Sequence, residues 1–136
     1  MKPSLPPWLQ SWLPVQPSTN RAERLRSCLG ALVGILLTGL VSAYAQGPTV
    51  TTVWLMAPMG ATAVLLFAVP ASPLAQPWPV FGGNLVAALI GVSCAKLIDA
   101  PPFAAAAAIF VTTGAMFALR CIHPPGGAVA LLAVVG

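Results

Sequence analysis

Few residues in this 136-residue chain can do chemistry, and most of them gather in one place. Arg120 and His123 stand three apart, directly before Pro124-Pro125-Gly126-Gly127. A guanidinium keeps its charge under ordinary conditions, and an imidazole can add a second charge on protonation. Adjacent glycines let a backbone approach a ligand with no side chain between them. A second block, Ala57-Pro58-Met59-Gly60-Ala61, repeats the Pro-x-Gly step inside another apolar stretch. Proline breaks a helix, and a helix that restarts there presents unpaired amide N–H groups and the positive end of its dipole. The chemistry that suits such a constellation is recognition of a small monovalent anion. Arg120, His123, Gly126 and Gly127, faced by Pro58 and Gly60, are therefore the candidate substrate-binding residues. The dipole contributes only ~0.3–1 kcal/mol to a nearby anion, up to ~2 when partly buried, so the full charge of Arg120 is required as well. The plainer alternative is that Arg120 marks an interface, His123 caps the following helix and the prolines are simple kinks.

Catalysis is not expected. Glu23 and Asp99 are the two carboxylates and His123 is the single histidine, so paired acid–base chemistry has no partners inside the apolar stretches. Cys121-x-His123 is too sparse for a metal, which wants three or four ligands. No cofactor is implied. Cys28, Cys94 and Cys121 read as small buried apolar residues.

The elements that must position these residues follow from composition. The chain is 58% hydrophobic and 6% charged, with mean hydropathy +0.91, whereas a soluble domain carries about 25% charged residues. No charge interrupts Ser27 to Ala95, nor Ala100 to Leu119. At ~20 apolar residues per crossing, the first run has room for three spans and the second for a fourth. The soluble globular class is excluded. The net charge of +4 includes Arg21, Arg24 and Arg26 directly before the first apolar run, which is the signature of a cytoplasmic flank attracted to anionic lipid rather than to nucleic acid.

Residues 1–26 hold prolines at 3, 6, 7, 14 and 17, which predicts a disordered cytoplasmic leader. The domain proper is residues 27–136. Five apolar segments are expected: 28–46, 53–69 (broken at Pro58 and Gly60), 81–98, 102–120 and 121–136. Pro70, Pro73, Pro77 and Pro79 read as a stiff connection, Asn84 as a cap, and Lys96 with Asp99 as a pair near a helix end. Gly30 and Gly34 form a G-x-x-x-G step, and Gly83, Ala87, Gly91 and Ala95 recur every four residues as a smooth packing face. Nothing alternates as barrel strands do. The predicted fold is all-α, a polytopic bundle of about four spans.

Segments two and five align without gaps at an offset of 66, matching Pro58 with Pro124, Gly60 with Gly126, Leu65 with Leu131, Leu66 with Leu132 and Val69 with Val135. The pattern of helix followed by broken helix occurs twice. Paired Pro/Gly-interrupted segments in two halves point to a transporter's binding site. Full crossing by segment two would invert the second unit and place Arg120 on the N-terminal side; re-entry would place Lys96 there. Counting positive charges does not choose between them.

The string Arg120-Cys121-Ile122-His123-Pro124-Pro125-Gly126-Gly127-Ala128 resembles the signature of the HPP family of integral membrane proteins. Ala57-Pro58-Met59-Gly60-Ala61-Thr62, the Ser72-Pro73-Leu74-Ala75-Gln76-Pro77-Trp78 connection and Gly82-Gly83-Asn84 resemble it too. The resemblance covers roughly Arg24 to Gly136. It implies a helical membrane domain of four spans, with nitrite transport linked to some plant and cyanobacterial members. It also implies one more apolar helix after segment five, which this sequence lacks. The expected setting is a bacterial inner (plasma) membrane with the N-terminus cytoplasmic. The expected partners are the bilayer, a small inorganic anion such as nitrite, and further copies of the chain. A non-transporting membrane anchor or assembly partner is the alternative. The two differ in whether the breaks face a cavity or are plugged by apolar side chains.

Overall fold

The computed structural model describes residues 6, 19–46 and 57–136, and the greater part of the expected disordered leader lies outside them. In chain order the elements are α1 (Arg21–Gln46), α2 (Ala57–Ala68), a 3-10 turn (Pro73–Ala75), α3 (Pro77–Leu97), α4 (Pro101–Ala118) and α5 (Pro124–Val135). Among the described residues the fold is all-helical.

Helix α1 begins well before the expected start at Cys28, so Arg21 to Arg26 belong to a helix rather than to the leader. The cause is a reciprocal cap: the Glu23 amide donates to Asn20 Oδ1 at 2.8 Å, and the Asn20 amide donates to Glu23 Oε2 at 2.9 Å. Each contact satisfies an otherwise unpaired N–H of the first turn. Helix α3 likewise starts early. Pro77 and Pro79 form its first turn instead of a connection, because the N–H groups lost there have no helical acceptor anyway. Asn84 is consequently not a cap. It lies within α3, where its Nδ2 donates to the Val80 carbonyl at 2.8 Å. Helices α2 to α5 all carry proline in their first two positions.

Among the described residues three helices are long and apolar enough to cross a membrane: Arg21–Ala45, Pro77–Leu97 and Pro101–Ala118. Helices α2 and α5 have 12 residues each, about 18 Å at the α-helical rise, against a hydrocarbon thickness of about 30 Å. The described residues thus hold three apolar helices of spanning length and two shorter ones, and a helical membrane bundle as expected fits them.

Small residues form the core. A Cβ on Gly83 would lie 2.7 Å from the Cys121 carbonyl oxygen and 2.7 Å from His123 Cβ. On Gly91 it would lie 2.6 Å from the Ala130 carbonyl oxygen and 2.7 Å from Ala133 Cβ. Gly83, Ala87 and Gly91 thus form the expected packing face, directed at α5, while Ala95 is exposed. Ala87, Ala108, Met116, Cys121 and Ala130 make the buried cluster where α3, α4 and α5 meet. Cys28, by contrast, is exposed on α1. The Gly30/Gly34 step receives the ring of Phe67 from α2, with Phe67 Cε2 3.0 Å from a Cβ built on Gly34.

These contacts give the helix directions. Phe67, near the end of α2, meets Gly30 and Gly34, whereas Pro58 and Met59 at its start share a cavity wall with Thr38; α2 is antiparallel to α1. Gly83 meets residues 121–126 and Gly91 meets 130–133, so α3 and α5 are parallel. Helix α3 departs from the face at which α2 ends, and the Trp78 indole N–H donates to the Leu119 carbonyl at 3.1 Å, bringing the end of α4 to that face. The two short helices therefore run in opposite directions. Arg21, Arg24, Arg26 and Arg120 share one face of the bundle, and Lys96 and Asp99 lie at the other. Charge counting left this choice open; packing makes it.

The glycine contacts give a stability test. Gly91→Ala forces a Cβ into the α5 backbone and should lower stability by roughly 1–3 kcal/mol. Gly60→Ala, where a Cβ meets nothing within 4 Å, should be neutral or stabilising by up to ~1 kcal/mol. Unfolding of both variants in detergent measures the contrast.

Candidate functional site

His123 precedes Pro124, which drives its backbone to extended geometry (φ −138°, ψ 102°). It occupies the N-cap position of α5 but makes no side-chain capping bond. Its side chain is fully buried. Nδ1 lies 3.1 Å from the Leu74 carbonyl oxygen, and Nε2 lies 3.0 Å from Thr62 Oγ1. A carbonyl only accepts, so Nδ1 carries the proton. In the neutral ring Nε2 is then the acceptor of the Thr62 hydroxyl. The imidazole joins α5 to α2 and to the turn that follows α2.

The start of α5 is poor in free donors. Pro124 and Pro125 have no N–H, and the Gly126 amide donates to the His123 carbonyl at 2.9 Å. Gly126 is buried, and a Cβ there would lie 2.6 Å from Met116 Cε and 3.1 Å from the Gly83 carbonyl oxygen. This glycine lets α5 touch α3 and α4. Gly127 is more open, its nearest neighbour being Ile109 Cδ1 at 3.8 Å from a built Cβ.

Arg120 is exposed and has φ 55°. The Cys121 amide donates to the Met116 carbonyl at 3.0 Å and the Arg120 amide to the Phe117 carbonyl at 3.3 Å. This pair is a Schellman cap with arginine in the left-handed position that glycine usually takes. The strain costs roughly 1–2 kcal/mol. The cap holds Arg120 at the rim, beside the Trp78–Leu119 bond, rather than inside the bundle.

Two cavities border the starts of α2 and α5. The larger, about 750 Å³, is walled by Thr38, Pro58, Met59, Thr62, Phe81 and Asn84 among others. The smaller, about 180 Å³, is walled by Thr112, Met116, Ile122, His123, Pro124 and Gly127 with two further α4 residues. The Thr62–His123 hydrogen bond joins their walls, since Thr62 borders one and His123 the other. Of the six candidate residues, Pro58 borders the larger cavity, and His123 and Gly127 the smaller. Gly126 is packed shut, Gly60 is exposed on α2, and Arg120 borders neither cavity.

Sequence reasoning passed over Thr62 as a site residue and missed Thr112 altogether. Threonine is unremarkable in an apolar helix, where its hydroxyl commonly returns to its own backbone. Thr112 is 1% exposed, and among the described residues neither its hydroxyl nor Asn84 Oδ1 has a hydrogen-bond partner. A buried group left so costs ~1–3 kcal/mol.

Residues 16–136 match the family described as HPP, transmembrane region. The chain belongs to the HPP family and is a multi-pass integral membrane protein. Two proteins of Dictyostelium discoideum, each named as a transmembrane protein, are similar to it. One is 35% identical over 113 residues, covering 80% of this chain and 36% of the relative. The other is 34% identical over 112 residues, covering 79% and 39%. The chain thus spans less than two-fifths of the length of either relative. No solved structure matches it.

The His123 bonds give a second test. Thr62→Val leaves a buried imidazole nitrogen without its donor and should lower stability by ~1–3 kcal/mol. Thr62→Ser, which keeps the hydroxyl, should lose less. Thermal unfolding of the purified protein compares them.

Proposed function

We propose that this HPP domain carries a small inorganic anion of the nitrite class across its membrane. The observation that supports this reading best is the pair of cavities, one beside the start of α2 and one beside the start of α5, whose walls are joined by the Thr62–His123 hydrogen bond. A transporter needs binding weak enough to release and a barrier that can open. One side-chain hydrogen bond, worth about 1 kcal/mol net, is a barrier of that kind.

The six candidate residues divide the work. His123, Gly127 and Pro58 border the route, Gly126 and Gly60 shape the helices that carry it, and Arg120 draws anions to the rim. Arg21, Arg24 and Arg26 reinforce that field. By the same positive charges we assign this face, and the N-terminus, to the cytoplasmic side of a plasma membrane. A cysteine substituted at Arg120 should react with a membrane-impermeant reagent only in inverted vesicles, and one at Lys96 only in intact cells. The reverse labelling would refute the orientation.

Uptake of nitrite, nitrate and chloride into proteoliposomes tests the function itself. The expected outcome is nitrite uptake above protein-free liposomes. Arg120→Gln should slow it at low salt, with the difference fading as salt screens the rim charge. No nitrite uptake by the folded parent would refute the proposal.

The anchor or assembly role has one observation in its favour. Ala57, Gly60, Ala61, Val64 and Ala68 are all exposed on α2, and closely approaching helices use such small residues. Gly60→Leu that disperses an oligomer of a parent inactive in uptake would favour that role.

A further inference from the structure

The larger cavity, about 750 Å³, is a groove between α2 and α3. Pro58, Thr62 and Leu66 line it from α2, and Pro77, Phe81, Leu85 and Ala88 from α3. Pro77, Phe81 and Leu85 are exposed, so its α3 edge opens sideways toward the bilayer. From Pro77 to Ala88 the helix rises about 16 Å, against about 15 Å for the hydrocarbon of one leaflet. The polar side chains in the wall are already engaged. Thr38 donates to the Gly34 carbonyl at 2.8 Å, Asn84 Nδ2 donates to the Val80 carbonyl at 2.8 Å, and Thr62 is bonded to His123. Asn84 Oδ1 is buried away from the surface. What the groove offers an occupant is therefore close packing against hydrocarbon.

Pro77 stands at the head of this groove, and Trp78 follows it in sequence. The Trp78 indole N–H donates to the Leu119 carbonyl, which brings Arg120 to the same height. Trp78 is 55% exposed and Arg120 is exposed. An exposed indole belongs at the level of lipid headgroups. A guanidinium beside it suits a phosphate, to which it can offer two parallel N–H donors. Glycine would close the α4 cap without strain, whereas arginine at φ 55° adds a fixed charge there. Neither side-chain carboxylate claims that charge: Glu23 is bonded to Asn20 in the α1 cap, and Asp99 lies at the other face.

We propose that the α2–α3 groove and Arg120 together bind one anionic glycerophospholipid from the leaflet on the arginine side. Its phosphate pairs with Arg120 beside Trp78, and one acyl chain lies along the groove toward Ala88. A free phosphate would use the rim alone and leave the groove empty. A helix of a second copy, about 10 Å across, is too wide for this volume over this length. The lipid matches the charge, the height of the indole and the depth of the groove at once. Binding does not rest on the transport reading. A seated chain fills the larger cavity and closes it to an anion, which makes this lipid an inhibitor of the transport proposed above.

The test titrates the folded, delipidated chain in detergent with phosphatidylglycerol and with phosphatidylcholine of the same acyl chains, and counts retained lipid by native mass spectrometry. Phosphatidylglycerol should be retained at one per chain and about tenfold more tightly than phosphatidylcholine. Arg120→Gln should erase that preference, a tenfold change being what loss of one charged hydrogen bond produces. Arg120→Lys should restore part of it, and Arg24→Gln on α1 should keep it. Phosphatidylglycerol with a photoreactive group at the end of one chain should label α2 and α3 around Pro58 and Ala88. Ala88→Leu, which narrows the groove, should lower that labelling severalfold. Equal retention of the two lipids, the parental preference in Arg120→Gln, or labelling confined to α1 would overturn the proposal. If Ala88→Leu does not fold, the positions labelled on the parent decide: adducts in the groove support the site, and their absence overturns it. None of these readouts needs nitrite uptake, so a failure of the transport reading and a failure of the lipid site are told apart.

Discussion

Lipid tails are as apolar as the side chains that face them, so helices in a bilayer gain little by hiding hydrophobic surface from each other. They hold by touching closely. In this protein the contact that organises the rest is the approach of α5 to α3, where Gly83 lies against Cys121 and His123, and Gly91 against Ala130. No side chain larger than hydrogen fits at either glycine without movement. Because the backbones meet there, the His123 ring is set between α5 and α2 at the height where Thr62 and the Leu74 carbonyl can reach it. The site is a consequence of a packing contact.

Proline is the second constraint. A helix interior tolerates it badly, but the first turn has amides to spare. Helices α2 to α5 exploit this, and the result differs with depth. At Pro77 and Pro101 the starts belong to helices long enough to span. At Pro58 and Pro124 the starts border the two cavities, and the residue before Pro124 is extended. Membranes allow irregular backbone only where protein or enclosed water surrounds it. The same prolines that open α5 also remove donors an anion would use.

The repeat illustrates how one motif takes two environments. Gly126, Ala130 and Ala133 of α5 lie against α3 or α4. Their counterparts on α2 at the 66-residue offset are Gly60, Val64 and Phe67. Gly60 and Val64 are exposed, and Phe67 turns to α1. Opposed directions for α2 and α5 are what an inverted pair requires, but the two helices have different neighbours.

Residence in a membrane, all-helical structure, the helix start at Pro124 and the small-residue face of α3 were determined by sequence alone. Each is a local property: hydropathy over a run, a proline that cannot donate, a four-residue period. The family signature was legible for the same reason, being a short string around His123. The tertiary structure decided the site. His123 is 61 residues from Thr62 and 49 from Leu74, and no periodicity links positions so far apart. Arg120 and His123 are three apart in sequence, yet a left-handed cap sends one to the rim while the extended residue before proline turns the other into the core. Thr112 became visible only as a hydroxyl without a partner, because satisfaction of a hydrogen bond belongs to the packed neighbourhood and not to the residue.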